Sequence, residues 1–184
     1  MAIIPDTKDW TWVLSRPCPE CGFDTSTFPR EAVAGLLTVN ASGWQDQLTG
    51  PGNPRTRPAP GTRPTPSTWS ALEYGCHVRD VFRLYDYRLG LMLTQDDPLF
   101  PNWDQDATAV ADHYAEQVPA EVAAELGVAA AALASSFDSV TGDQWHRKGR
   151  RSDGASFTVE TFARYFIHDP IHHLYDVTGI QAGS

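Results

Sequence analysis

The stretch YFIHDPIHHLYD, residues 165–176, decides how this chain is interpreted, because it contains three of its six histidines. His168 and His172 are four residues apart, and on a helix such residues lie on one face with Cβ atoms roughly 5–6 Å apart. Two imidazoles at this spacing can share one divalent metal ion. A catalytic zinc ion usually has three protein ligands and an open position. The stretch therefore predicts a third ligand elsewhere, and His173, almost a third of a turn from His172, is expected in the core or beside the site.

Pro170 lies between the two histidines and leaves two interpretations open. Asp169 and Pro170 can cap and begin a new helix, so that His168 falls outside it. Alternatively, one helix continues through this point and is kinked at the proline. The residues alone do not decide between them.

The third ligand is predicted on an earlier helix, in the segment EYGCHVRD, residues 73–80. His77 lies about one turn inside that helix, on a partly apolar face that can point toward a facing helix. A single histidine on such a face is more often a core residue. The His168/His172 pair is what favours a three-histidine metal site completed by His77.

Two carboxylates follow these histidines at helical spacing. Asp80 comes three residues after His77, and Asp176 comes four residues after His172. Each can orient an imidazole by accepting its hydrogen bond, or can equally be a solvated or capping charge. Tyr165 falls on the same side of the last helix as the histidine pair. We therefore predict Asp80, Asp176 and Tyr165 as residues that support the metal site.

The composition narrows the class of protein. The chain has 184 residues, of which 41% are hydrophobic and 20% charged, as in a single globular domain. Its net charge of −9 argues against binding to nucleic acid or an anionic membrane, since both attract basic patches. We find no apolar run long enough to span a membrane and no signal peptide. Three cysteines fit a reducing cytoplasm better than a secreted disulfide scaffold. A monomer or homodimer is expected.

Apolar residues recur at helical spacing in four long segments and one or two shorter ones. Ser70 and Glu73 form a capping box at the start of the second long helix, and Gly179 suits the end of the last. No strand alternation is visible, so the sequence predicts an all-α four-helix bundle with long loops. The predicted helices span residues 29–48, 70–94, 106–118, 119–140 and 157–177.

Two segments are predicted to be irregular. Residues 1–29 form an N-terminal extension that precedes a bundle over residues 30–180. Residues 49–68 are rich in proline and glycine and form a loop that is either functional or pinned over the surface.

The N-terminal extension contains Cys18-Pro-Glu-Cys21-Gly, which suits a tight turn. The two cysteines can be part of a plain turn, can take part in thiol or redox chemistry, or can bind metal. They supply two ligands, whereas a closed structural zinc site needs four. Cys76 is a possible third ligand but points elsewhere on its helix.

Three segments in this order resemble the DinB/YfiT-like superfamily, which includes mycothiol- and bacillithiol-dependent S-transferases and a mycothiol-dependent maleylpyruvate isomerase. They are Trp69-Ser-x-x-Glu-x-x-x-His77-x-x-Asp80, Gly142-Asp-Gln-Trp145 and His168-Asp-x-x-His172-His-x-x-Asp176.

The resemblance covers roughly residues 30–180. It implies a four-helix bundle with His77, His168 and His172 as metal ligands, and it favours the kinked helix. The isomerase branch uses a carboxylate as one ligand, where this chain is expected to offer His168, so the resemblance does not imply maleylpyruvate isomerisation.

The predicted function follows from what such a metal does. Three imidazoles suit zinc, with nickel or iron as alternatives, and the ion lowers the pKa of a thiol or water in its open position. We predict a metal-dependent S-transferase that activates a low-molecular-weight thiol, such as mycothiol, for attack on a small electrophile, as in detoxification. The alternatives are a hydrolase using metal-bound hydroxide and a non-enzymatic metal- or ligand-binding bundle. The arginines predicted to bind a polar cosubstrate are Arg79, Arg83, Arg88 and Arg164.

Overall fold

The computed structural model describes residues 9–51 and 59–182, which contain five α-helices and three short strands. The expectation of no signal peptide concerns the N-terminus, which lies outside these residues. Arg55 and Arg57 of the proline-rich loop lie outside them as well. The helices are α1 (Val33–Thr49), α2 (Ala71–Thr94), α3 (Gln105–Ala111), α4 (Pro119–Asp138) and α5 (Val159–Thr178).

The four long helices α1, α2, α4 and α5 pack against one another, which confirms the predicted four-helix bundle. The capping box of α2 is also confirmed, because Ser70 and Glu73 exchange backbone and side-chain hydrogen bonds. From the proline-rich loop, Arg63 forms an ion pair with Glu73. The described end of this loop is therefore pinned to the start of α2.

By length and composition alone, α4 is apolar enough to cross a membrane, contrary to the expectation from the sequence that no run of this kind is present. Its alanine-rich side packs against α1 and α2. Leu126, Leu133 and Phe137 of this side are buried. This helix therefore has the environment of a core helix of the bundle.

Three short strands form a small sheet that the sequence did not predict. β1 (Leu99–Phe100) pairs in parallel with β2 (Lys148–Arg151), which pairs antiparallel with β3 (Ser156–Thr158). Strands this short carry no visible alternation of apolar and polar residues. Gly149 lies close to α2, since a Cβ atom there would be 2.7 Å from Met92 Cγ. The sheet ends where α5 begins.

The last helix, α5, continues through Pro170, which decides between the two interpretations left open by the sequence. Its neighbour α1 fixes it at that point: Asn40 Nδ2 and Trp44 Nε1 donate to the Pro170 carbonyl at 2.9 and 3.3 Å. Deeper in the core, Phe166 lies against Tyr85, with ring centroids 4.7 Å apart. These contacts set the direction in which each side chain of α5 points.

The N-terminal segment, defined here as residues 9–28, packs along α5. It begins with a 3₁₀ turn, Trp10–Leu14, and Thr25 Oγ1 donates to the Val13 carbonyl at 2.7 Å. Arg164 of α5 donates to the Thr25 carbonyl. The segment is therefore attached to the last helix of the bundle by polar contacts as well as by packing.

Replacing Asn40 by alanine is expected to lower the free energy of unfolding by about 1–3 kcal/mol, because it removes a buried hydrogen bond to α5. Ser42→Ala, on the exposed side of the same helix, is the matched control and should change it by less than about 0.5 kcal/mol. Urea unfolding of the two variants measures the difference. Equal effects would show that the Asn40 contact does not hold α5 in place.

Candidate metal centres

Two groups of metal-binding side chains lie next to each other along α5. Successive residues of a helix point about 100° apart, so neighbouring positions can face different partners. In each group, the ligand atoms lie within 4.8 Å of one another. The cysteine–histidine cluster consists of Cys18, Cys21, His168 and His172, and the histidine–carboxylate cluster consists of His77, Asp169 and His173.

The structure divides the predicted three-histidine set between these two clusters. His168 and His172 do lie together, with ring centroids 5.1 Å apart. His77, however, faces Asp169 and His173 instead of that pair. From the sequence, His173 was not predicted to be a ligand because it points away from His172. The rotation of about 100° between these two neighbouring residues is what directs His173 toward His77. The signal was present in the sequence, because Asp169 and His173 are also four residues apart.

In the histidine–carboxylate cluster, Asp169 faces one imidazole with each oxygen. Its Oδ1 lies 3.4 Å from His77 Nε2, and its Oδ2 lies 3.6 Å from His173 Nε2. A tetrahedral centre with Zn–N and Zn–O bonds of about 2.0–2.1 Å separates such atoms by about 3.3 Å. The three side chains therefore have the spacing of ligands around one ion.

The hydrogen bonding of this cluster also fits a cation. Among the described residues, neither ring nitrogen of His77 has a hydrogen-bond partner, and neither has Asp169 Oδ1. Buried polar atoms are nearly always hydrogen-bonded. Buried donor atoms that converge without such partners are disposed to bind a metal ion.

Asp176 orients His173, since its Oδ2 accepts a hydrogen bond from His173 Nδ1 at 2.9 Å. This leaves Nε2 as the nitrogen that faces Asp169. Burial alone would lower the pKa of His173, but the charges of Asp169 and Asp176 raise it to about 10. Asp176 Oδ1 also lies 3.6 Å from His172 Nε2, the histidine that the sequence assigned to it. This carboxylate therefore lies between the two clusters.

Aromatic rings enclose His77, whose exposed fraction is 1%. Trp103 stacks on its ring with centroids 5.3 Å apart, and Trp69 lies at 5.5 Å. The rings of His77 and His173 are also nearly perpendicular, with their centroids 4.9 Å apart. Water is therefore kept away from His77, and access to the cluster is from the side of Asp169 and His173.

A cavity of about 1240 Å³ opens beside Asp169 and His173. Tyr165 lies on its wall, as does Arg151, whose Nη1 donates to Tyr165 Oη at 3.2 Å. Tyr165 was predicted to support the metal ligands, and its contact in the structure is with Arg151. Most of the charged wall is acidic. Among the described residues, its carboxylates are Asp9, Glu20, Asp104, Asp106, Asp153, Asp169 and Asp176, and its cations are Arg151 and His173.

The cysteine–histidine cluster is more deeply enclosed, since the exposed fraction of its members is at most 6%. Burial, together with the neighbouring His172, lowers the pKa of His168 to about 4, so this ring is neutral at pH 7. Burial raises the pKa of the Cys21 thiol to about 12. A reactive cysteine needs a depressed pKa, so this environment argues against a nucleophilic role for Cys21.

Asp80 does not orient an imidazole of either cluster. Arg79 and Arg83 both form ion pairs with Asp80 and with Glu125. Tyr114 Oη also donates to Asp80 Oδ2 at 2.6 Å. This network joins α2 to α4 and to the turn at Tyr114, so its charges stabilise the packing of the bundle.

The arginines predicted to bind a cosubstrate do not line the cavity. Arg79 and Arg83 belong to the network just described, Arg164 pairs with Glu160, and Arg88 lies over the ring of Phe100. Among the described residues, Arg151 is the arginine that lines the cavity. It was missed because it lies on β2, a strand too short to be predicted.

Comparison with protein families matches residues 44–177 to the DinB superfamily, which is more than half of the chain. The matched region includes the histidine–carboxylate cluster, whereas Cys18 and Cys21 precede it. Among solved structures, the chain is similar to YfiT from Bacillus subtilis, described as a probable metal-dependent hydrolase with an unusual four-helix bundle topology. The TM-score is 0.72 at 17% identity, over 84% of this chain and 86% of that one, which is a likeness of fold. No curated protein matches the chain.

The Asp80 network gives a prediction about pH. Burial alone would raise the pKa of Asp80, but hydrogen bonds from Arg79 and Tyr114 lower it. A carboxylate whose pKa is lower in the folded than in the unfolded protein stabilises the fold at any pH above its unfolded-state pKa, which is about 3.9 for aspartate. This stabilisation is lost as the pH falls through the folded-state pKa. We expect Asp80→Asn to cost about 1–3 kcal/mol of unfolding free energy at pH 7 and progressively less between pH 5 and pH 3.

The exposed Asp138 at the end of α4 provides the control, and Asp138→Asn should change the unfolding free energy by less than about 0.5 kcal/mol. Denaturant unfolding at several pH values measures both variants. A cost of Asp80→Asn that is independent of pH would contradict the assignment of a charged, paired Asp80.

Proposed function

The chain belongs to the DinB superfamily, and from this we propose that it is a metal-dependent S-transferase whose metal is bound by His77, Asp169 and His173. The observation that carries the proposal is the convergence of ligand atoms from the buried His77 and the half-buried Asp169 and His173, the last two of which line a large cavity. Three protein ligands leave a position open for substrate, as in catalytic metal sites. This argues against a purely stabilising metal in the non-enzymatic alternative.

Zinc is the proposed ion. Two histidines and one carboxylate are a common donor set of catalytic zinc, and the same set also binds iron(II). When bound, such an ion lowers the pKa of a thiol or water in its open position. Maleylpyruvate isomerisation was not predicted from the sequence, because the isomerase branch uses a carboxylate as one ligand and His168 was expected at that position. Asp169 occupies that role in the cluster, so this reason no longer applies.

The surrounding residues have separable tasks in this proposal. Asp176 holds the proton of His173 Nδ1 and so directs Nε2 toward the metal position. Trp69 and Trp103 exclude water from His77. One helical turn before Asp169, the Tyr165 hydroxyl accepts from Arg151 and has its own proton available for an oxygen of the electrophile.

The size of the cavity favours a reaction with two substrates. Pockets for one drug-sized ligand are about 300–1,000 Å³, and this cavity is about 1240 Å³. Its indole rings and carboxylates suit a hydroxylated thiol better than a small anion. A reducing cytoplasm would keep both the cosubstrate and the cysteines of the chain as thiols, so a cytoplasmic location is part of the proposal.

A metal-dependent hydrolase is the second candidate. The similar structure, YfiT, is described as a probable metal-dependent hydrolase. The same three ligands would serve water as well as a thiol. The two functions differ in whether turnover requires an added thiol.

His173→Ala is expected to reduce turnover by about 100-fold or more, because it removes a ligand of the metal. Asp176→Asn should cost about 10–100-fold, because it removes the partner that orients the imidazole. Metal content and initial rates of the purified variants measure both effects. The control is His146→Ala, at an exposed histidine outside both clusters. If His173→Ala behaves like His146→Ala, the proposed ligand set is wrong.

Product formation from an activated alkyl halide should rise with the concentration of mycothiol, or of cysteine as a simpler probe, and should saturate. Without thiol the rate should fall to background, because the proposed nucleophile is missing. The measurement is chromatographic detection of the thioether, with the His77→Ala variant as the metal-site control. Hydrolysis of esters or amides in the absence of thiol would instead favour the hydrolase.

A further inference from the structure

We propose that the cysteine–histidine cluster is a structural zinc site, separate from the proposed catalytic metal. A Cys-x-x-Cys pair and a His-x-x-x-His pair together supply two thiolates and two imidazoles, the donor set of closed tetrahedral zinc sites. The family match begins at residue 44, so both cysteines lie outside it. The site is therefore built from the N-terminal segment of this chain and the outer face of one family helix.

The distances between the donor atoms fit one ion. Cys18 Sγ lies 3.6 Å from His172 Nδ1, and Cys21 Sγ lies 3.7 Å from His168 Nε2. With Zn–S bonds of about 2.3 Å and Zn–N bonds of about 2.0–2.1 Å, tetrahedral geometry separates a sulfur from a nitrogen by about 3.6 Å. The four donors are thus already spaced as ligands.

The turn that carries the cysteines is shaped for this role. Gly22 has φ +75°, a conformation that favours glycine, and its N–H donates to the Cys18 carbonyl at 2.9 Å. The backbone N–H of Cys18 donates to the Phe23 carbonyl at 2.9 Å, so the chain folds back on itself around the two cysteines.

The histidine side has matching support. Glu20 Oε2 lies 3.5 Å from Nε2 of His172, the nitrogen opposite the one that faces Cys18. A carboxylate in this place fixes the ring and makes the ligating nitrogen more basic. Glu20 comes from the same turn as the two cysteines, so one short segment supplies both ligands and their support.

The set of four donors is complete, which distinguishes this site from the histidine–carboxylate cluster, although His168 and His172 also border the cavity. Four protein donors complete a tetrahedron and leave no position for a substrate. The Trp10 ring lies beside both histidines, with centroids 5.4 Å from His168 and 5.0 Å from His172. A closed and buried set of this kind stabilises the fold.

The zinc ion holds the N-terminal segment against α5. That segment contributes Asp9, Trp10, Thr11 and Glu20 to the wall of the cavity. Structural zinc sites contribute directly to folding free energy. One metal therefore fixes part of the wall of the chamber in which the other metal is proposed to act.

The test uses the full chain, reduced and loaded with cobalt(II), because cobalt bound to thiolate has an intense near-ultraviolet charge-transfer band that imidazole and carboxylate ligands do not give. Wild-type protein is expected to bind two cobalt ions, one in each cluster, and to show the band. His77→Ala should lose one ion and keep the band, whereas the double variant Cys18→Ser/Cys21→Ser, which removes both thiolates, should lose the band. Cys76→Ala, at a buried cysteine outside both clusters, should keep the ions and the band.

Wild-type protein without the band, or the Cys18→Ser/Cys21→Ser double variant with it, would overturn the proposal, as would a Cys18–Cys21 disulfide in freshly purified protein detected by mass spectrometry. Because the double variant can fail to fold, zinc-edge X-ray absorption of His77→Ala gives an independent measurement. Two sulfur and two nitrogen neighbours are expected from the cluster, and coordination without sulfur would overturn the proposal. These readouts do not depend on turnover, so they are separate from tests of the catalytic metal.

Discussion

The rotation of about 100° between successive residues of a helix is the constraint on which both metal centres depend. It allows two pairs of ligands, each with four-residue spacing, to overlap within one short stretch of α5. His168 and His172 face the N-terminal segment, while Asp169 and His173 face α2. A break at Pro170 would rotate the later members away from the earlier ones. The contacts that α1 makes with the Pro170 carbonyl therefore matter for both sites.

Most of the fold could be predicted from the sequence because its signals are local. The capping box at Ser70, the proline at the start of α4 and the glycine after α5 each act within one turn of their helix. The three strands could not be predicted, since their pairing joins residues far apart and each is too short to show a pattern. Arg151 was missed with them, and with it the arginine on the cavity wall.

The ligands themselves could also be predicted, but their partners could not. Spacing identifies which residues share a helix face, and it found the His168/His172 pair. Which element that face meets depends on how α5 is rotated in the bundle and on the path of the N-terminal segment. Both are set by tertiary packing. From the sequence, the Cys-x-x-Cys pair therefore lacked two ligands and the histidine pair lacked one. In the structure the two pairs face each other.

The contact between Cys18 and His172 joins residues 154 positions apart, nearly the whole length of the chain. During synthesis the N-terminal segment leaves the ribosome before α5. Its contacts with α5 therefore cannot form until the helices of the bundle have been synthesised. Closing a loop of this length has a large but slowly growing entropic cost. The N-terminal segment can thus reach its final position only after α5 has been made.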